Sequence, residues 1–426
     1  MAPMLKPKAA RWILLFLSFV MIVVFITSDV WFPARPVDHI RRYTRQYEFD
    51  YIGWELKAMW NKAIHLSFGA AHHLTSHQQR VIIEDYIRLL SQARETEQQL
   101  TALYSDPVFK DTDLIKKLEG DLALIKTQLK HQTGLAESVL QFQISQAIAS
   151  LGITHIRTPF PPVLFQTTPL PKQLIISPRD TIRKEMSVSL IPDISLAEMV
   201  AIEELVEEYT DYSALVVPIG GVGTYPSMII ETTALTNLLD TAAHEWIHNH
   251  LTFRPLGARY SASPALRTMN ETTASIAGGE IMRETLRIFY PEYSPLEVTL
   301  PENLNASNQM TSVNPGGSFN FSQMMYETRI QVDELLADGK IDEAEEFMEN
   351  QRQFFWENGY QIRKLNQAYF SFYGAYADAP FSAAGRDPVG EDVRSFRTQQ
   401  PDLATFIWKI SWMLDYRQLR MAARAF

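Results

Sequence analysis

The chain has 426 residues, a formal net charge of −10 and no cysteine. The acidic balance argues against nucleic acid as a partner, because phosphate binding needs a basic surface. The missing thiols exclude disulfides, Cys nucleophiles and thiolate metal sites, so any metal must be held by His, Asp or Glu. With 46% hydrophobic and 21% charged residues, a packed core is expected.

Residues 1–35 read as a cytoplasmic tail and a transmembrane anchor. Between Trp12 and Ile26 only Ser18 is polar, and a helix over residues 12–32 would span roughly 30 Å, about a bilayer core. Trp12 and Trp31 stand where interfacial aromatics are favoured. The following "ITSDVWFPARP" offers no small-residue pair for signal cleavage, which favours an uncleaved anchor. Lys6, Lys8 and Arg11 precede the segment while Arg35, Arg41, Arg42 and Arg45 follow it, so charge bias orients it weakly. The short leading tail places the N-terminus in the cytoplasm and the bulk of the chain outside. Residues 212–230 are apolar, but their prolines and glycines read as strand, loop, strand rather than a second span.

Residues 36–157 form a helical region. Ile83, Tyr86, Leu90, Ala93 and Leu100, then Leu114, Leu118, Leu122, Ile125, Leu129 and Ala136, recur at helical spacing. The "SDP" at 105–107 separates them, predicting an antiparallel helical pair. His72, His73 and His77 read as a solvated helix end, since no nearby carboxylate completes a metal set.

From residue 158 the pattern turns to proline-punctuated β-type runs, with a strand at 186–192. Ser195 and Glu198 form a capping box opening a helix through about residue 209. "SALVVPI" and "YPSMIIE" are strands, and the edge of the latter is a place for an extended peptide to pair. "PIGGVGTYP" lacks the Lys-Ser/Thr of a phosphate loop and reads as a turn. Helices follow at 236–253 and 268–289. Beyond a polar loop at 302–318 the chain is mainly helical to its end. The fold class is α+β and mostly helical: anchor (1–35), helical hairpin region (36–157), a subdomain with a small mixed sheet and two helices (158–290), and a helical C-terminal subdomain (291–426).

The helix at 236–253 contains "HEWIH". His244 and His248, four residues apart, share one helix face and can reach one ion. Glu245 lies beside that face, placed to take a proton from the attacking water. A catalytic zinc wants three protein ligands. One His-type pattern needs Gly three residues after the second His and another His three further on; those positions hold Leu251 and Arg254, which leaves a carboxylate. Glu271 is favoured; it falls in the first turn of the next predicted helix, on a face with Ala274, Ser275, Gly278 and Met282 that allows close packing. Glu280 and Glu284 are the alternatives.

"HEWIH" followed by "NETTAS" resembles the gluzincin zinc metallopeptidases, over about residues 225–289. The resemblance implies a zincin-like catalytic subdomain at 158–290 and zinc on His244, His248 and Glu271. It also implies Glu245 as the base and a peptide substrate. "LNQAYFSFYGAY" (365–376) faintly resembles uncharacterised, membrane-anchored bacterial aminopeptidases of this class. Ser275 stands where many gluzincins place an Asp that orients a zinc histidine; Asp240 or Asn270 can take that part. The aminopeptidase Gly-x-Met-Glu-Asn motif is absent, so exopeptidase activity is not implied. Tyr260, Tyr373 and Tyr376 are candidate donors to an oxyanion. Arg254 and Arg259 are candidates for a substrate carboxylate or for the helix end, and His250 points elsewhere on the helix. The expectation is a membrane-anchored zinc metallopeptidase. A non-catalytic membrane-anchored helical scaffold and a zinc hydrolase of non-peptide amides are the other readings.

Overall fold

A computed structural model describes residues 39–66, 70–105, 112–154, 158–292, 319–375, 383, 385 and 388–424. The anchor expected at 12–32, the loop at 302–318 and Tyr376 lie outside the described residues. Among the described residues no helix is long and apolar enough to cross a membrane. The chain divides into a unit of Met1–Gln46 and a unit of Tyr47–Phe426. The second unit carries everything that follows.

It opens with helix α1 (Tyr51–Leu66), then α2 (Ser76–Ser105) and α3 (Thr112–Ser150), 30 and 39 residues long. Gln143 donates to Gln79 at 3.3 Å and Lys126 meets Glu97 at 2.7 Å, so α2 and α3 run antiparallel, as their apolar stripes require. Ile83, Tyr86, Leu140 and Ile144 close the seam.

Two three-stranded sheets stand where a single one was expected. The first, ordered β1 (Phe165–Thr167), β6 (Ser227–Ile229), β5 (Gly221–Val222), pairs β1 with β6 in parallel and β5 with β6 antiparallel. The second, ordered β3 (Met186–Leu190), β2 (Lys172–Pro178), β4 (Tyr212–Val217), is antiparallel throughout. Helix α4 (Leu196–Tyr209) begins with the predicted capping box: Ser195 Oγ accepts from Glu198 N at 3.3 Å, and Glu198 Oε2 accepts from Ser195 N at 2.9 Å.

Helices α5 (Leu235–Thr252) and α6 (Pro264–Phe289) pack against each other and against α3. The C-terminal part adds α7 (Phe321–Ala337), α8 (Ile341–Glu357), α9 (Gln367–Tyr373), α10 (Pro388–Thr398), α11 (Leu403–Ser411) and α12 (Tyr416–Ala423). One core joins the hairpin, α5, α6 and α10–α12. A second packs α7–α9 on the β2–β4 sheet. The mostly helical α+β class stands. The site lies on α5 and α6, whose apolar faces belong to the first core.

Candidate metal centre

Helix α5 buries Leu238, Leu239, Ala242, Ala243, Trp246, Ile247 and Leu251, a continuous apolar face. That burial sets its rotation and turns His244 and His248 towards α6. Trp246 Nε1 donates to the Pro161 carbonyl at 2.8 Å, and Asn249 Nδ2 donates to Ser227 Oγ at 2.9 Å, pinning the helix to the first sheet. Gly278 of α6 lets the helices approach: a Cβ there would lie 3.1 Å from the His244 backbone nitrogen and 3.2 Å from the Asp240 carbonyl. The small-residue face read from Ala274 and Gly278 is therefore the contact face.

Helix α6 starts four residues before the expected 268. Ser263 caps it, accepting from Leu266 N at 3.2 Å, and Pro264 occupies the first turn. Proline there costs nothing, since its missing N–H has no partner in any helix. Glu271 consequently sits two turns into the helix, not in its first turn, and a stabilising helix dipole does not explain it.

The three predicted ligands meet. His244 Nε2 and His248 Nε2 are 3.0 Å apart, and Glu271 Oε2 is 3.5 Å from the first and 3.4 Å from the second. Donors placed tetrahedrally about 2.0–2.2 Å from one ion stand about 3.3–3.5 Å from each other. The two His–Glu sides match such an ion, and the His–His side, at 3.0 Å, is shorter. The described residues contain one His/Asp/Glu group of this kind, and it is this one.

The surroundings agree. Glu271 is buried and its Oε2 has no hydrogen-bond partner, although such an atom costs several kcal/mol when left unsatisfied. Its other oxygen accepts from the Tyr260 hydroxyl. His248 Nδ1 lies 2.8 Å from Asn270 Oδ1, an acceptor, so a proton sits on Nδ1 and Nε2 faces the cluster. Burial pushes Glu271 up, but the nearby His248 and His244 outweigh it and hold the carboxyl well below the usual range. Burial lowers His248, and the Glu271 carboxylate reverses that and raises it. The three side chains could hold a metal ion.

Glu245 is buried beside the cluster, and burial pushes its pKa up against the opposing pull of His248 and His244. Gly221 of β5 lies directly on its carboxylate, leaving no room for a side chain, and a Cβ at Gly223 would meet His248 Cβ at 3.2 Å. The glycine run read as a turn therefore includes a strand. It corrects a second expectation: β6 is the central strand of its sheet, so the outer strand beside Glu245 is β5.

The remaining candidates separate cleanly. Glu280 is held by Arg397, and Glu284 by Arg287 and Ser150, so neither joins the cluster. Tyr260 does, through Glu271; Tyr373 packs on Tyr369 and Phe372 instead. Arg254 donates to the His250 carbonyl and closes the end of α5, while Arg259 is exposed. His250 turns away, its Nδ1 2.8 Å from the Phe160 carbonyl. Asn270 orients His248; Asp240 lies buried one turn before His244. His72, His73 and His77 are exposed. Two residues that the sequence did not single out stand at the site. Arg267 Nε donates to Tyr260 Oη at 3.3 Å and its Nη1 to the Ser371 carbonyl at 2.8 Å. Lys184, on the β2–β3 hairpin, holds its ammonium 5.7 Å from the centre of the Tyr260 ring.

Comparison with family models, curated proteins and solved structures finds no match.

Proposed function

We propose that this chain is a zinc-dependent peptidase of gluzincin type, tethered to a membrane through residues 12–32. The observation that carries the proposal is the triangle of His244, His248 and Glu271, closed around a buried carboxylate oxygen that has no hydrogen-bond partner. These three residues would hold the zinc, which when bound polarises the scissile carbonyl and makes water acidic enough to be deprotonated near neutral pH.

The chain's own residues do the rest. Glu245 takes the proton from the attacking water and delivers it to the departing amine nitrogen. Its raised pKa, caused by burial, suits a group that must both accept and return a proton. Asn270 fixes the His248 tautomer, and Tyr260 and Arg267 fix the rotamer of Glu271. Strand β5, the outer strand next to Glu245, offers backbone groups to an extended chain, so peptide is favoured over a compact amide.

The test is the metal content and peptide hydrolysis of wild type and Glu245→Gln. Wild type should bind one zinc and cut peptides. The variant should keep its zinc and lose about 10²–10⁴-fold in kcat, the usual worth of a general base. A wild type without stoichiometric metal would sink the proposal.

A further inference from the structure

Lys184 is the unexplained charge of the site. It is half-buried, yet among the described residues its ammonium has no hydrogen-bond or ion-pair partner. The Tyr260 face beneath it is the same ring that meets His248 edge-on, 6.3 Å between centres, and whose hydroxyl donates to Glu271. The other cation nearby, Arg267, is already engaged by Tyr260 and the Ser371 carbonyl. Once Glu271 and the two histidines serve a divalent cation, Lys184 is left with no negative charge assigned to it. An ammonium kept partly from water with only a ring face for company is costly. Burial, and then Arg267, bring its pKa down to about 7. A carboxylate arriving beside it would reverse that cost.

From this placement the geometry points to Lys184 as the anchor of a substrate carboxylate, which makes the substrates peptides with an acidic group close to the scissile bond. The inference rests on the peptidase reading for the word substrate, but not for the binding itself. Carboxylates of two sources fit: the C-terminus of a peptide, or a Glu or Asp side chain within it. A charge-assisted hydrogen bond in a partly desolvated site changes affinity about tenfold or more.

The experiment uses the full-length, zinc-loaded chain carrying Glu245→Gln, so that binding is read without turnover. Fluorescently labelled peptides are titrated as two matched pairs: free C-terminal acid against C-terminal amide, and an internal Glu against Gln. One pair should bind about tenfold or more tighter in its acidic form, and which pair does so identifies the source. Lys184→Met should bring that ratio to about one with zinc content unchanged, and Lys184→Arg should keep most of it. A ratio near one in both pairs, or one that survives Lys184→Met, overturns the assignment. Hydrolysis by the chain with its native Glu245 separates the two readings. Acid-selective binding without any cleavage leaves the Lys184 site standing and removes the peptidase; cleavage without acid selectivity does the reverse.

Discussion

Two buried glutamates in this molecule solve the same problem differently. Glu137, on α3, is fully partnered: Lys62 meets one oxygen, and the backbone and hydroxyl of Thr167 donate to the other at 2.6 and 2.8 Å. It ties α1, α3 and β1 together, and nothing more is needed to explain it. Glu271, on α6, is equally buried, but one oxygen has only two imidazole nitrogens within ion-pair distance. Glu203 follows the first pattern, accepting from Val216 N at 2.6 Å and clasped by Arg363. A chain able to satisfy Glu137 and Glu203 completely leaves Glu271 incomplete where two histidines converge. The difference separates a carboxylate that builds the fold from one that, with two histidines, could hold an ion.

The contrast is broken most severely at the structural pair. Lys62→Met leaves the Glu137 carboxylate buried without its cation, and should destabilise the chain by about 3–5 kcal/mol. Glu137→Leu together with Lys62→Met should restore most of that, read by urea unfolding; if the double variant is no better than the single, the pair is not what the cost comes from. Glu271→Gln should behave in the opposite way. Without metal it should cost less than Lys62→Met, since Gln keeps an acceptor for the Tyr260 hydroxyl and leaves no buried charge unpaired. With zinc at about a thousand times its dissociation constant, wild type should gain about 4 kcal/mol that the variant does not. Melting curves with zinc and with EDTA measure both, and equal zinc-induced shifts in the two proteins would contradict the assignment of Glu271.

Asn270 sharpens the same comparison at a smaller scale. Its carbonyl oxygen holds the proton on His248 Nδ1, so it would act on a bound metal through that imidazole. Asn270→Ala should weaken zinc affinity by about 10–100-fold while leaving one zinc per chain at saturation. Asn270→Asp, which keeps an acceptor, should recover much of the loss. Competition with a zinc-sensitive dye gives the constants, and unchanged affinity in the Ala variant would make the hydrogen bond incidental.

The meeting of His244, His248 and Glu271 was legible in the sequence because helical spacing is local. His244 and His248 share a face wherever their helix lies, and the small residues around Ala274 and Gly278 announced the helix contact that brings Glu271 to them. The Ser195–Glu198 box and the α2–α3 hairpin were legible for the same reason. What failed to show depended on distant partners. Strand β5 is a Gly-Val pair with little strand propensity of its own; its pairing with β6 makes it a strand. The two sheets could not be told from one, since register between strands is not written locally. Lys184 and Arg267 reach the site through a hairpin and a helix turn whose positions the β2–β4 sheet and α9 decide. The start of α6 could have been read: Ser263 before Pro264 is a cap signal, outweighed by the apolar pattern further on.

The smallest effect comes from a third kind of glutamate, partnered but half open to water. Glu345 of α8 receives both arms of Arg179, at 2.8 and 2.6 Å, and Gln367 Nε2 at 3.1 Å. Burial pushes its pKa up, but the hydrogen bonds and charge of Arg179 prevail and hold it below the ordinary value. A group with its pKa depressed by folding adds stability above its unfolded pKa, and that stability is lost as pH falls through the folded one. Because a third of the side chain stays exposed, solvent keeps the contribution below about 1 kcal/mol. Glu345→Gln should therefore melt slightly below wild type at pH 7, and the gap should close as pH is lowered past the ordinary glutamate range to about 3. A gap that persists undiminished at low pH would assign the effect to packing rather than charge. Glu345 would then belong with the residues that shape the fold by contact alone.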